Sequence, residues 1–344
     1  MSARLMRTRR RLLFASLVVT VAACGSRTGL LVPLDFDVPA DAKGDGSIIH
    51  HIDAQEEDAL DEAEALPPLD VRPPPPDVAI PSDCVDAGST LIYLIANSNN
   101  LYSFYPPTAT FTLIGTIACP DTASSQPFSM AVDRKGIAYV VFQSTVGTGG
   151  PGDGGLFRVS TATAACIPTG FAVNQQGFPS TFGMGFSQDA DDTGETLYVA
   201  SDAAGSQPSQ LATIDVTNGF TLKIVDSFSP PINMAELTGT GAGGLFGFWD
   251  PDPDVATGAS GPDSAIVQID KTTAQVTNSS PLNGLSQGFG WAFAFWGGNF
   301  YTFTAPNMMT VVNRFDPNDG SLVQVAQSTD LIVGAGVSTC APQQ

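Results

Sequence analysis

The sequence predicts an all-β protein, a β-propeller of about five four-stranded blades. Three observations predict it. Alternating apolar runs flank polar turns along most of the chain. The pattern of two such hairpins recurs every ~45–55 residues, a period typical of propeller blades. The first unit is one strand short, and the last segment supplies one strand.

The hairpins show one shape. "VVNRFDPNDGSLVQV" (311–325), "QLATIDVTNGFTLKIVDSF" (210–228), "AIVQIDKTTAQVTNSS" (265–280), "NLYSFYPPTATFTLIGTI" (100–117) and "GLFRVSTATAACIPTGF" (155–171) each place a turn rich in Asp, Thr, Pro, Asn or Gly between strands. Those residues cap their own backbone or tolerate turn dihedrals, so each reads as a β-hairpin. A second hairpin precedes most of them: "FSMAVDRKGIAYVVF" (128–142), "FGMGFSQDADDTGETLYVA" (182–200), "AELTGTGAGGLFGFW" (235–249) and "WAFAFWGGNFYTFT" (291–304). Its first strand is built from small residues. Ser129, Gly183, Glu236, Ala292 and Gly334 form one column, and Ala131, Gly185, Thr238, Ala294 and Gly336 another. Small side chains suit strands lining a crowded axis, where larger ones would collide across it. Met130, Met184, Leu237 and Phe293 point instead between blades. The segment "LIVGAGVSTC" (331–340) completes the short first blade as its innermost strand, which removes a free sheet edge. A pair of β-sandwiches is the alternative fold.

Composition narrows function. The chain has 344 residues, 43% hydrophobic and 14% charged, with a net charge of −20. Such a surface repels nucleic acid and anionic lipid headgroups. Residues 24–82 are rich in Asp, Glu, Ala and Pro and form an acidic, extended tether that cannot bury enough apolar surface to offset ordering. Both histidines, His50 and His51, lie there beside Asp53 and are read as solvated side chains, since nothing fixes a coordination geometry. The propeller region, 83–344, therefore has no histidine. This argues against Ser-His-Asp or Cys-His catalysis and against histidine-held zinc or copper.

The N-terminus reads as a processing segment over 1–23. A basic stretch, "MSARLMRTRRR", precedes the apolar "LLFASLVVTVAA", too short to span a bilayer. It ends in Val21-Ala22-Ala23-Cys24, which resembles the lipobox of bacterial lipoproteins. The resemblance implies cleavage before Cys24 and lipidation of its thiol. Gly25 in the next position implies, by the same resemblance, the outer membrane of a Gram-negative cell. The segments "AVDRKGIAYVVF" and "TLYVAS" resemble secreted propellers of the NHL/YVTN-like type and carry no catalytic signature.

Four cysteines remain for an oxidising compartment: Cys84, Cys119, Cys166 and Cys340. Three pairings exist. Ring closure favours Cys84–Cys340. Cys119–Cys166 follows by elimination, although strand direction sets its partners toward opposite ends of their blades.

The connections between second and third strands, and those between blades, share one face and hold the long insertions 143–155, 201–210 and 249–264. Loops gathered on a rigid scaffold are a usual binding location. Trp249, Asp250, Asp252 and Asp254 are the candidate binding residues. The alternating carboxylates could hold a hard cation such as Ca²⁺, although no EF-hand glycine or closing Glu accompanies them. "DADDTGE" (189–195) poses the same question on the opposite face. Glu236 is a candidate channel acid, because it occupies a column of Ser, Gly and Ala. The leading expectation is a lipid-anchored binding module for a protein or saccharide, with no cofactor beyond a calcium ion. The alternative is a Ca-dependent hydrolase, lactonase or lyase with an acidic site at the channel mouth. A third reading is a structural envelope component.

Overall fold

The computed structural model describes residues 84, 91–147, 150, 152–191, 194–201, 208–251 and 264–344. The processing segment, Cys24 and the tether lie outside them. Among the described residues twenty strands form five four-stranded antiparallel sheets. β1 (Ile92–Ala96), β2 (Asn100–Tyr105) and β3 (Thr110–Thr116) open the chain. β4 (Ser125–Val132), β5 (Ile137–Ser144), β6 (Leu156–Ser160) and β7 (Cys166–Pro168) make the second blade. β8 (Phe182–Gln188), β9 (Glu195–Ser201), β10 (Gln210–Asp215) and β11 (Thr221–Ser227) make the third. β12 (Ala235–Gly239), β13 (Leu245–Trp249), β14 (Ala265–Ile269) and β15 (Val276–Pro281) make the fourth. β16 (Trp291–Trp296), β17 (Asn299–Thr304), β18 (Thr310–Phe315) and β19 (Leu322–Ser328) make the fifth. β20 (Ile332–Val337) pairs antiparallel with β1, Ile92 opposite Val337 and Ile95 opposite Gly334, and so completes the first sheet from the far end of the chain. The expected ring closure is present, and the architecture is a five-bladed propeller rather than a sandwich pair.

The recurring hairpin turn has one physical cause. A side-chain oxygen at the end of the third strand accepts backbone N–H groups two and three residues on. Asp215 Oδ1 takes the amides of Thr217 and Asn218, and Asp270 Oδ1 takes those of Thr272 and Thr273. Ser160 Oγ does the same for Ala162 and Thr163, and Asp316 Oδ1 for Asn318. The turn then closes on a left-handed residue, which in the third blade follows a second one, Gly219 (φ 69°). The closing residue is Gly320 in the fifth blade (φ 74°), but Ala164, Phe220 and Ala274 adopt it with a side chain (φ 59°, 54° and 56°). The local cap supports a conformation that an L-residue otherwise disfavours.

The blades meet through apolar wedges. Between the first and second lie Tyr93, Ile95, Leu101, Met130, Val140 and Phe157. Between the fifth and first lie Ile92, Leu94, Phe104, Ala292 and Phe303, with Phe104 and Phe303 edge to face at 5.7 Å. Each fully buried phenylalanine contributes about 2–3 kcal/mol of transfer free energy. Met130, Met184, Leu237 and Phe293 are buried in these wedges as expected.

The small residues of the inner strands are required by adjacent strands rather than by contacts across the axis. A Cβ on Gly183 would sit 2.0 Å from the Ala235 carbonyl oxygen of the next blade. One on Gly334 would sit 2.8 Å from the Met130 amide. The inner strands pack backbone to backbone.

Both expected cysteine pairs are bonded: Cys84–Cys340 and Cys119–Cys166. The second forms although its partners were expected toward opposite ends of their blades. After β3 the chain folds inward, burying Ile117 and Cys119 between the first two blades beside Val159 and Ala164. That inward fold carries Cys119 to the start of β7.

Candidate functional site

The inner strands start on the face that carries the blade-to-blade connections. There they leave a funnel on the ring axis, with a cavity of about 460 Å³. Its floor is apolar: Phe128 at β4, Trp291 at β16 and Val333 at β20. Phe128 and Trp291 meet edge to face, with centroids 6.1 Å apart. Around them stand the amides of Asn97, Gln126, Gln143 and Gln287. The Gln287 Nε2 is buried and has no hydrogen-bond partner, which leaves a donor without an acceptor at the wall. The rim is apolar and wet. Phe289 is 65% exposed and Met308 is 53% exposed, and both line the cavity. Met308 has a left-handed backbone (φ 63°), unusual for a long side chain. Met309, Val146 and Val173, in connections on the same face, are also exposed.

The funnel ends blindly. One residue below Phe128, the Ser129 hydroxyl donates to Glu236 Oε2 at 2.8 Å. The Glu236 side chain thus spans from β12, past Gly183, to β4 and fills the axis. It is completely buried, and its Oε1 has no hydrogen-bond partner. Burial raises its pKa well above 4.5, against the lowering effect of Ser129 and the Met184 amide. Glu236 is therefore an axial plug without contact to water, not an acid at an open channel mouth.

The opposite face is closed by the C-terminal tail. Arg134 Nε donates to Thr339 Oγ1 at 3.0 Å, and Thr339 donates to Glu195 Oε2 at 2.8 Å. The Arg134 amide donates to Glu195 Oε1 at 2.6 Å, and the Gly297 amide to the Pro342 carbonyl at 2.7 Å. The tail is tied to the second, third and fifth blades. Burial raises Glu195 to about 7, more than these hydrogen bonds and Arg134 lower it.

Of the residues singled out from sequence, Trp249 ends β13 on the funnel face but packs into the wedge of Leu237, Leu245 and Val267. Its Nε1 is buried with no hydrogen-bond partner. Asp250 follows it, half-buried, and Asp252 and Asp254 lie outside the described residues. Asp189 sits on the opposite face, where Thr196 donates to it at 2.7 Å. Among the described residues no group of three His, Cys, Asp or Glu side chains is placed to hold a metal. Sequence reasoning missed the funnel itself. Its signal was present in "LSQGFGW" and "APNMMT", where large apolar residues occupy connections that otherwise favour polar ones.

No protein-family model and no curated protein matches this chain. Solved structures are similar in part. A chain from the crystal structure of a nidogen/laminin complex is 12% identical, with 72% of this chain and 97% of that chain covered and a TM-score of 0.43. TolB from Acinetobacter baumannii is 11% identical, covering 69% of this chain and 52% of that one, with a TM-score of 0.38. This chain thus spans about half of that TolB. A luciferin-regenerating enzyme is 11% identical, with 70% and 73% covered and a TM-score of 0.37. The five sheets themselves establish the fold: a five-bladed β-propeller with a blind funnel on its long-loop face.

Proposed function

We propose that this protein is a lipid-anchored component of the cell envelope that binds a partner through its funnel face. One observation carries the reading. Phe289 and Met308 stand largely exposed at the lip of a preformed cavity, on the face where the connections gather. Exposed apolar groups around a concave, polar-walled pocket are the usual signature of a binding surface. The lipobox-like Val21-Ala22-Ala23-Cys24 and the acidic tether would hold that surface away from a membrane. The alternative chemistry at Glu236 has no support in the geometry, because that carboxyl meets neither solvent nor the cavity.

The test is site-specific photo-crosslinking in an exporting bacterium, with the photoreactive residue at Phe289 and, as control, at Lys271 on the opposite face. Adducts from 289 and none from 271 support the reading. Adducts from 271 alone overturn it. Loss of membrane association in Cys24→Ala tests the anchor; retention there removes that part of the proposal.

A further inference from the structure

The lysines and arginines of the propeller are unevenly placed. Residues 91–344 contain six: Arg134, Lys135, Arg158, Lys223, Lys271 and Arg314. Arg134 and Lys135 form the β4–β5 turn, Lys271 lies in the β14–β15 turn, and Arg314 and Lys223 lie next to turns on that same side. Arg158 is exposed on the flank of the second blade. All of these turns belong to the face opposite the funnel. The connections on the funnel face carry acids only among the described residues, including Asp121 after β3 and Asp330 before β20. Among the described residues the cavity lining contains no charged side chain. A neutral, amide-walled cup with an apolar lip thus opens in the middle of an anionic face.

We infer that the funnel accepts a basic peptide segment of a protein partner, which inserts one apolar side chain between Phe289 and Met308. The inference rests on the reading that this face is the binding face. Each part of the cup matches one part of such a segment. The lip and the Phe128–Trp291–Val333 floor match an apolar anchor. The glutamine amides, Gln287 Nε2 above all, match main-chain carbonyls. The surrounding aspartates attract flanking lysines or arginines and accelerate encounter. A sugar ring is a poorer match. The two aromatic floor residues are 9% and 8% exposed and lie edge to face, so neither presents a broad flat surface for stacking.

The test uses the full chain and three labelled probes followed by fluorescence anisotropy at low salt. These are an acetylated, amidated Lys-Lys-Leu-Lys-Lys peptide, the same peptide with Ser for Leu, and the Leu peptide with Glu for each Lys. The Leu–Lys peptide should bind at least tenfold more tightly than either relative. Phe289→Ser/Met308→Ser should abolish the preference for Leu over Ser. Asp121→Asn/Asp330→Asn should weaken binding about three- to tenfold and flatten its salt dependence. Phe289, Met308 and Asp121 are exposed, and Asp330, half-buried, would as Asn still offer an oxygen to the Tyr102 hydroxyl it now accepts from, so neither variant empties the core. Equal binding of the Leu and Ser peptides, unchanged in Phe289→Ser/Met308→Ser, would place the attraction in the acidic tether and overturn the inference. Cellobiose binding that Phe289→Ser abolishes, with no peptide preference, would also overturn it while leaving the binding face intact.

Discussion

Glu195 gives the sharpest quantitative test of the way this ring is held shut. Its carboxyl is buried beneath the C-terminal tail, and burial lifts its pKa from the ordinary 4.5 to about 7. The folded protein therefore holds this proton more tightly than the unfolded chain does. The contribution to stability is complete below about pH 4.5 and is lost progressively as pH rises toward 7. A displacement of that size corresponds to about 3 kcal/mol, at about 1.4 kcal/mol per pKa unit. Glu195→Gln keeps oxygen for the Arg134 amide and cannot ionise. Guanidinium unfolding of wild type and variant, from pH 4.5 to 8.5, isolates the carboxyl from every other titrating group. The variant should gain on the wild type by about 3 kcal/mol between the ends of the range, most steeply from pH 5 to 7. A difference that stays level across the range would show that water or Arg134 already satisfies the carboxylate, and the buried latch described above would be wrong.

Further predictions follow from the same packing. Glu236→Gln should make the protein more tolerant of alkaline pH, because the raised carboxyl loses stability as pH climbs above 4.5; identical unfolding midpoints for both proteins at pH 8.5 would refute the axial plug. Gly183→Ala should destabilise by ~3 kcal/mol or more or prevent folding, since the methyl meets backbone of the next blade rather than a movable side chain; an unchanged midpoint refutes the close approach. Replacing both members of Cys84–Cys340, which closes 256 residues, should cost more than replacing Cys119–Cys166, which closes 47. Chain entropy gives about 5.5 and 4 kcal/mol as ceilings; the reverse order in chemical denaturation refutes that account.

The blades were legible because their signals are local and periodic. Asp215, Asp270 and Asp316 recur at one place in three hairpins, and each caps the same turn. The column containing Gly183 and Gly334 was legible for a related reason, although the clash that enforces it comes from the neighbouring strand. The funnel was not legible. Gln126 and Gln143 face each other in one hairpin, and Gln287 and Phe289 share one connection, but no spacing relates the two pairs until the ring closes. Glu236 stood out as an exception in its column, but sequence carries no measure of burial. Whether it met water or Ser129 depended on how closely five inner strands converge. Trp249 drew notice beside an acidic run in a long connection, and its packing against a cluster that includes Tyr198 and Leu211 of the third blade was not legible there.

The junction of β20 with β1 bears on how such a protein is made. Until residue 337 has emerged, Ile92–Ala96 has a partner on one side only, and its other row of amides and carbonyls stays open. A chain made from its N-terminus onward would carry that unmatched border through most of its synthesis. Premature termination even a dozen residues early would leave four finished sheets and one permanently adhesive edge, a product suited to chaperone capture or degradation rather than to service.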